Sequence, residues 1–169
     1  RQKRTAAKES QRWLEAQAAT RAALPEGQTV VTIADREADR YDFLALPRRE
    51  GQELLIRAAQ NRVVAPSPKL FETVANWSPT ATLELSLGRR DGKAPRTADL
   101  SLRYGNVTIR APTNRTQAHR GPGVSLTALE VRELTPPPGE SPIHWRLLTT
   151  LLVRDVADAL QYLTWYSFR

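Results

Sequence analysis

The chain of 169 residues has no cysteine, no methionine and only two histidines, His119 and His144. Without cysteine there are no disulfides, no zinc–thiolate sites and no cysteine nucleophile. That fits a reducing compartment. The two histidines have polar or strand-like neighbours and no second histidine at ligand spacing, which argues against a histidine-built metal site. No apolar run approaches the ~18–20 residues of a membrane span, and no signal-peptide pattern opens the chain. No phosphate-cradling P-loop, dinucleotide fingerprint or Ser-His-Asp arrangement is legible. The chain opens on Arg1-Gln2-Lys3-Arg4 and stops at Arg169 inside an apolar-periodic helix that has no Gly, Asn or Pro stop signal. Both ends are therefore expected to lie inside a longer protein.

What is present is ordinary in proportion but basic in sign. Apolar residues make up 40% and charged residues 25%, enough in a chain of this length for one domain with a real core or one domain plus a subdomain. Lys and Arg number 25 against 18 Asp and Glu, giving a net charge of +7 and a pI near 10.4. Such a balance favours a polyanionic partner, nucleic acid first and an acidic membrane surface second.

Residues 5–24 are rich in Ala, Glu, Gln and Arg and predict a helix, with Trp13, Leu14, Ala18 and Ala22 on its apolar side. Residues 29–34 form a nearly continuous apolar run, expected for a strand buried on both faces. Helix follows over 37–46, closed by Pro47 and Gly51, and a second strand over 53–58. Strand, helix and strand in this spacing make a βαβ unit with parallel strands. Alternating runs then appear at Leu83, Leu85, Leu87, at Leu100, Leu102, Tyr104, and at Val107, Ile109, with Gly105-Asn106 as a two-residue hairpin signal between the last two. Residues 124–134 and 143–152 predict two more strands. Residues 155–169 return to helix, with Asp155 as N-cap and Asp158 in the first turn. Its buried stripe is expected at Val156, Ala159, Leu160 and Leu163. Tyr162, Tyr166 and Arg169 fall on an adjoining face at helical spacing.

Asp35 stands where the first apolar run ends. A carboxylate at the carboxyl end of a strand is placed where ligands gather in an open α/β sheet, and one or two carboxylates are what a hard divalent cation requires. The same position is also a common helix N-cap, and both roles stay open. Glu37, Asp39 and Asp42 are spread around the following helix and are expected to be solvated. Arg57 ends the second strand at the same sheet edge as Asp35. Trp145 is either a stacking platform for an unpaired base or a sheet-core aromatic. The basic turn Gly88-Arg89-Arg90-Asp91-Gly92-Lys93 with Arg96, and the loop from Asn114 to Arg120, either track a phosphate backbone or are solvated tips. Tyr166 and Arg169 suit hydrogen bonding to a phosphate and neutralising it.

Five stretches, in order, resemble one family. Thr32-Ile33-Ala34-Asp35-Arg36-Glu37-Ala38-Asp39 is similar to the block around the second catalytic aspartate of bacterial insertion-sequence DDE transposases. The branch is the insertion-sequence-four family with its Tyr-Arg-Glu-Lys signature. Lys8-Glu9-Ser10-Gln11-Arg12-Trp13 precedes that block and Leu55-Ile56-Arg57 follows it. The segment Gly139-Glu140-Ser141-Pro142-Ile143-His144-Trp145-Arg146-Leu147-Leu148-Thr149-Thr150 and the run Tyr166-Ser167-Phe168-Arg169 complete the set.

The resemblance implies an α/β fold: an RNase H-like core, partial in this chain, with an inserted antiparallel β subdomain. Residues 1–61 would be partial core, 62–153 the insertion, and 154–169 the start of the core helix carrying Tyr166 and Arg169. It implies cut-and-paste DNA transposition in the bacterial cytoplasm, with Mg²⁺- or Mn²⁺-dependent nicking, hairpin formation and strand transfer at transposon ends within a synaptic homodimer. Asp35 would be a catalytic metal ligand. Trp145 would stack on a flipped base, and Arg57, Tyr166 and Arg169 would hold the adjoining phosphate. The family's first aspartate, its glutamate and its signature lysine do not occur in the chain, so the piece alone is expected to be inactive. The competing expectations are a DNA-binding or assembly module without chemistry and an unrelated RNase H-like nuclease.

Overall fold

The structure, a computed structural model, describes residues 2–23, 25, 27–66, 69–89, 94–113 and 123–169, with backbone alone for 2–10 and 14. It is mixed α/β. Helix α1 (Gln2–Ala23) leads into β1 (Val30–Ala34), a 3₁₀ turn (Arg36–Ala38), the short helix α2 (Tyr41–Ala45) and β2 (Gln52–Arg57). Then come β3 (Val64–Ala65), α3 (Leu70–Ala75), β4 (Ala81–Leu87), β5 (Arg96–Ile109), β6 (Val124–Glu133), β7 (His144–Thr149) and α4 (Val156–Ser167).

One seven-stranded sheet runs through the described residues in the order β1-β2-β7-β6-β5-β3, with β4 also pairing β5. β1 and β2 pair in parallel, Ala34 opposite Ile56, as the βαβ spacing predicts. The remaining pairings are antiparallel. β7 lies directly against β2, Arg57 opposite Leu147, so the strands before and after residue 61 share one ladder. The return from α2 to β2 turns at Gly51, whose φ is +77° and where a Cβ would meet the Gln28 carbonyl oxygen at 2.3 Å.

The predicted hairpin at Gly105-Asn106 does not form. Both residues lie inside the 14-residue strand β5, paired with Ala128 and Thr127 of β6. Gly105 is there for a close approach: a Cβ at this position would meet the Trp77 ring at 3.1 Å. Glycine in a strand interior marks either a turn or a near neighbour, and here the neighbour decides.

The sheet carries two cores. One face, with Leu54, Ile56, Ala128 and Leu148, is covered by Phe43 and Leu44 of α2, by Leu70 and Val74 of α3, and by Trp13 of α1. The other, with Leu55, Leu100, Leu102, Leu129 and Leu147, is covered by α4. α4 begins at Asp155, whose carboxylate accepts from the Asp158 amide at 2.9 Å, the expected cap. Its buried stripe is rotated from the expected one: Tyr162 and Tyr166 are buried with Ala159 and Leu163, while Val156 and Leu160 are only partly covered. A tyrosine buries its ring if the hydroxyl finds a partner. Tyr162 donates to the Leu152 carbonyl at 3.0 Å and Tyr166 to Asp35 at 3.2 Å.

Two further expectations are corrected. Asp39 is not solvated: its side chain is fully buried and Oδ1 takes the Arg62 guanidinium at 2.7 Å. Oδ2 accepts from the Ala59 and Gln60 amides, both at 2.7 Å, so the carboxylate clasps the chain leaving β2. Nor does Arg96 lie on a solvated tip. It starts β5 and donates to both carboxylate oxygens of Glu133, at 2.5 and 3.1 Å. Residues 90–93 of that basic turn and the basic loop from Asn114 to Arg120 lie outside the described residues.

Candidate active site and nucleic-acid interface

Strand parity gathers the site. Val31 and Ile33 of β1 point toward α4, and side chains alternate along a strand, so Asp35 follows them to that face. Leu55 places Arg57 there for the same reason. Because Ala34 pairs with Ile56, Asp35 and Arg57 end their strands side by side. On β7, Leu147 lies opposite Arg57, and Trp145, two residues beyond, stays on the α4 side with Ile143. The C-terminal end of α4 then lays Tyr166 and Arg169 over this edge.

The contacts are specific. Asp35 Oδ1 accepts from the Arg36 amide at 2.9 Å and from the Tyr166 hydroxyl at 3.2 Å. Arg57 Nη1 stands 4.0 Å from the same oxygen, and Arg169 Nη1 is 2.8 Å from Oδ2. Arg57 is anchored in turn by donating to the His144 carbonyl at 3.3 Å. Trp145 meets Tyr166 edge-on, with ring centroids 5.1 Å apart and planes at 71°. All five singled-out residues, Asp35, Arg57, Trp145, Tyr166 and Arg169, therefore belong to one cluster. Asp35 does also cap the 3₁₀ turn that follows it, so the cap and the site occupy the same carboxylate. Trp145 is neither core nor surface: it is half-buried against the α4-side core.

The electrostatics favour an anion. Partial burial of Asp35 opposes its ionisation, but the Arg36 amide, Arg169, Arg57 and the Tyr166 hydroxyl together hold its carboxyl below the usual value. Burial and the Asp35 charge push the Tyr166 phenol up, against the pull of Arg57 and Arg169, so it stays protonated and donates. One carboxylate against two guanidiniums leaves one positive charge in excess. The side chains of Asp35, Arg57 and Arg169 are 29%, 21% and 32% exposed. Ion pairs this open to water contribute about 1 kcal/mol or less to stability, so the cluster is not explained by its effect on the fold. Beside it lies a groove of about 400 Å³ bordered by Trp145, Ile143, Leu87, Arg89, Phe168 and Arg169.

The described residues do not make up a divalent-cation site. Such a site needs several oxygen ligands. Among the described residues no group of three or more His, Cys, Asp or Glu side chains converges. Asp35 supplies one carboxylate, whose Oδ1 already accepts from the Arg36 amide and the Tyr166 hydroxyl and whose Oδ2 is ion-paired with Arg169.

On the opposite face, a cluster that the sequence does not announce surrounds Glu130. This buried carboxylate takes Arg146 at 2.7 Å and His144 at 2.9 Å on Oε1, with Arg103 at 3.6 Å from Oε2. The signal was cross-strand register, since Arg103, Glu130 and Arg146 pair directly across β5, β6 and β7, and register is not visible before the strands are aligned. Arg146 also lies over the Phe71 ring at 4.4 Å.

No protein-family model matches the chain. Among the described residues no helix is long and apolar enough to cross a membrane.

Proposed function

We propose that this chain is the central segment of the catalytic domain of a cut-and-paste DNA transposase, and that its Asp35 face binds the end of a DNA strand. The observation that carries this is the cluster itself. A strand-end carboxylate is surrounded by two guanidiniums and a phenol with net positive charge, and an aromatic platform stands beside them. A phosphodiester provides oxygens for Arg57, Arg169 and Tyr166, and an unpaired base provides a π-face for Trp145. The parallel pair β1 and β2, with the carboxylate at the strand's end, supports an RNase H-like assignment of the core. On this reading Asp35 is one carboxylate of a larger Mg²⁺- or Mn²⁺-binding set, and the DNA-bound state is a synaptic homodimer.

A second reading has its own support. With both oxygens engaged and no group of three or more His, Cys, Asp or Glu side chains converging among the described residues, Asp35 in this chain alone serves DNA binding without chemistry.

Binding of this chain to a short duplex with unpaired terminal nucleotides, measured by fluorescence anisotropy across a salt series, tests the shared element. Arg57→Gln and Arg169→Gln are each expected to weaken binding and to lower the slope of log K against log salt by about 1. Unchanged slopes in both variants would remove the phosphate role.

A further inference from the structure

Phe168 is 81% exposed, the most exposed large apolar side chain among the described residues. It caps the C-terminal end of α4, directly before Arg169, and it borders the same groove as Trp145. An apolar ring set against water is unfavourable. Among the described residues the groove is lined by the apolar side chains Leu87, Ile143, Trp145 and Phe168 and by three arginines, Arg89, Arg96 and Arg169, with Glu140 as the acid. Arg96 is held by Glu133 and Arg169 by Asp35. An apolar slot with a basic rim fits a planar base carrying a phosphate better than it fits an aliphatic side chain, because only the former uses both the π-faces and the cations.

We propose that Phe168 is the second stacking surface of this groove. An unpaired base rests on half-buried Trp145 and is covered from the solvent side by Phe168, while the adjoining phosphate meets Arg169. The assignment rests on the DNA-binding reading above and adds to it a specificity-determining residue. Two aromatic walls select an unpaired base over a paired one, since a base inside a duplex offers no free face.

The test uses this chain and a duplex with one unpaired 2-aminopurine near its end, following both affinity and the quenching of the probe. Phe168→Ala is expected to bind about tenfold more weakly and to lose part of the quenching. Phe168→Trp should bind as the parent does. Phe168→Leu, which keeps apolar bulk without a π-face, should resemble the alanine variant. A fully paired duplex should bind all variants equally. The side chain is exposed, so unchanged circular dichroism and Tm are expected throughout. If Trp145→Ala weakens binding and Phe168→Ala does not, the Phe168 role is overturned while the base site stands. If Phe168→Leu binds like the parent, stacking by Phe168 is overturned. If neither Trp145→Ala nor Phe168→Ala matters, the base site and this inference both fall.

Discussion

Tyr166 donates its hydroxyl hydrogen to Oδ1 of Asp35 at 3.2 Å, across 131 positions of the chain. The bond joins the carboxyl end of β1 to the C-terminal end of α4, the helix that covers this face of the sheet. Arg169, one turn further along, reaches the other carboxylate oxygen at 2.8 Å. A hydroxyl in the last turn of α4 and a guanidinium just past its C-cap therefore engage the two oxygens of one strand-end carboxylate, and the polar cluster forms as a consequence of how α4 docks.

Tyr166→Phe keeps the buried ring and removes the hydroxyl. The expected cost in urea unfolding is about 1 kcal/mol, the net worth of one hydrogen bond. Asp35 keeps the Arg36 amide and Arg169, so the fold survives. DNA affinity should drop severalfold, because on the proposed reading the hydroxyl also donates to phosphate; unchanged affinity would contradict that role.

Asp39→Ala should be far more damaging, although Asp39 is only four positions from Asp35. It removes a fully buried carboxylate and strands the Arg62 guanidinium and two amides. Breaking such a buried pair costs about 3 kcal/mol or more. Chemical denaturation measures it, and a loss below about 1 kcal/mol would contradict the clasp.

Acid should weaken the N-terminal end of α4. Hydrogen bonds from the Arg154 guanidinium and amide lower the Asp158 carboxyl from 3.8 to about 2. A depressed folded value means that the contribution is complete above the unfolded value and is lost as pH falls toward the folded one. Stability should therefore be level in this respect above about pH 4 and decline between 3.8 and about 2. Asp35, also held low, adds a loss of the same sign. In Asp158→Asn the decline should be shallower. An identical pH profile would contradict the pairing with Arg154.

Much of this arrangement was legible in the residues. The apolar run before Asp35 and the βαβ spacing imply a parallel pair, and parallel pairing alone puts Arg57 at the edge where Asp35 ends. Asp155 announced its cap. Partners that meet only through tertiary packing were not legible. Asp39 looks solvated on its own helix because Arg62 lies beyond the next strand. Gly105-Asn106 has the chemistry of a turn, and Trp77, which excludes a side chain there, is remote in sequence. The stripe of α4 was misplaced because apolar periodicity counts leucine and valine above tyrosine, whereas the two tyrosine hydroxyls find acceptors at the rim of the core.

The central claim is that Asp35 belongs to a DNA-cutting site. The most direct test is made in the full-length protein of which, on this account, the chain is a segment. Asp35→Asn and the parent are compared for divalent-metal-dependent nicking of end-bearing DNA, with binding of the same DNA measured in parallel. The account predicts that nicking is lost while end binding remains within about threefold, well under the ~1.4 kcal/mol of a tenfold change. Nicking by Asp35→Asn at the parent's rate would contradict it.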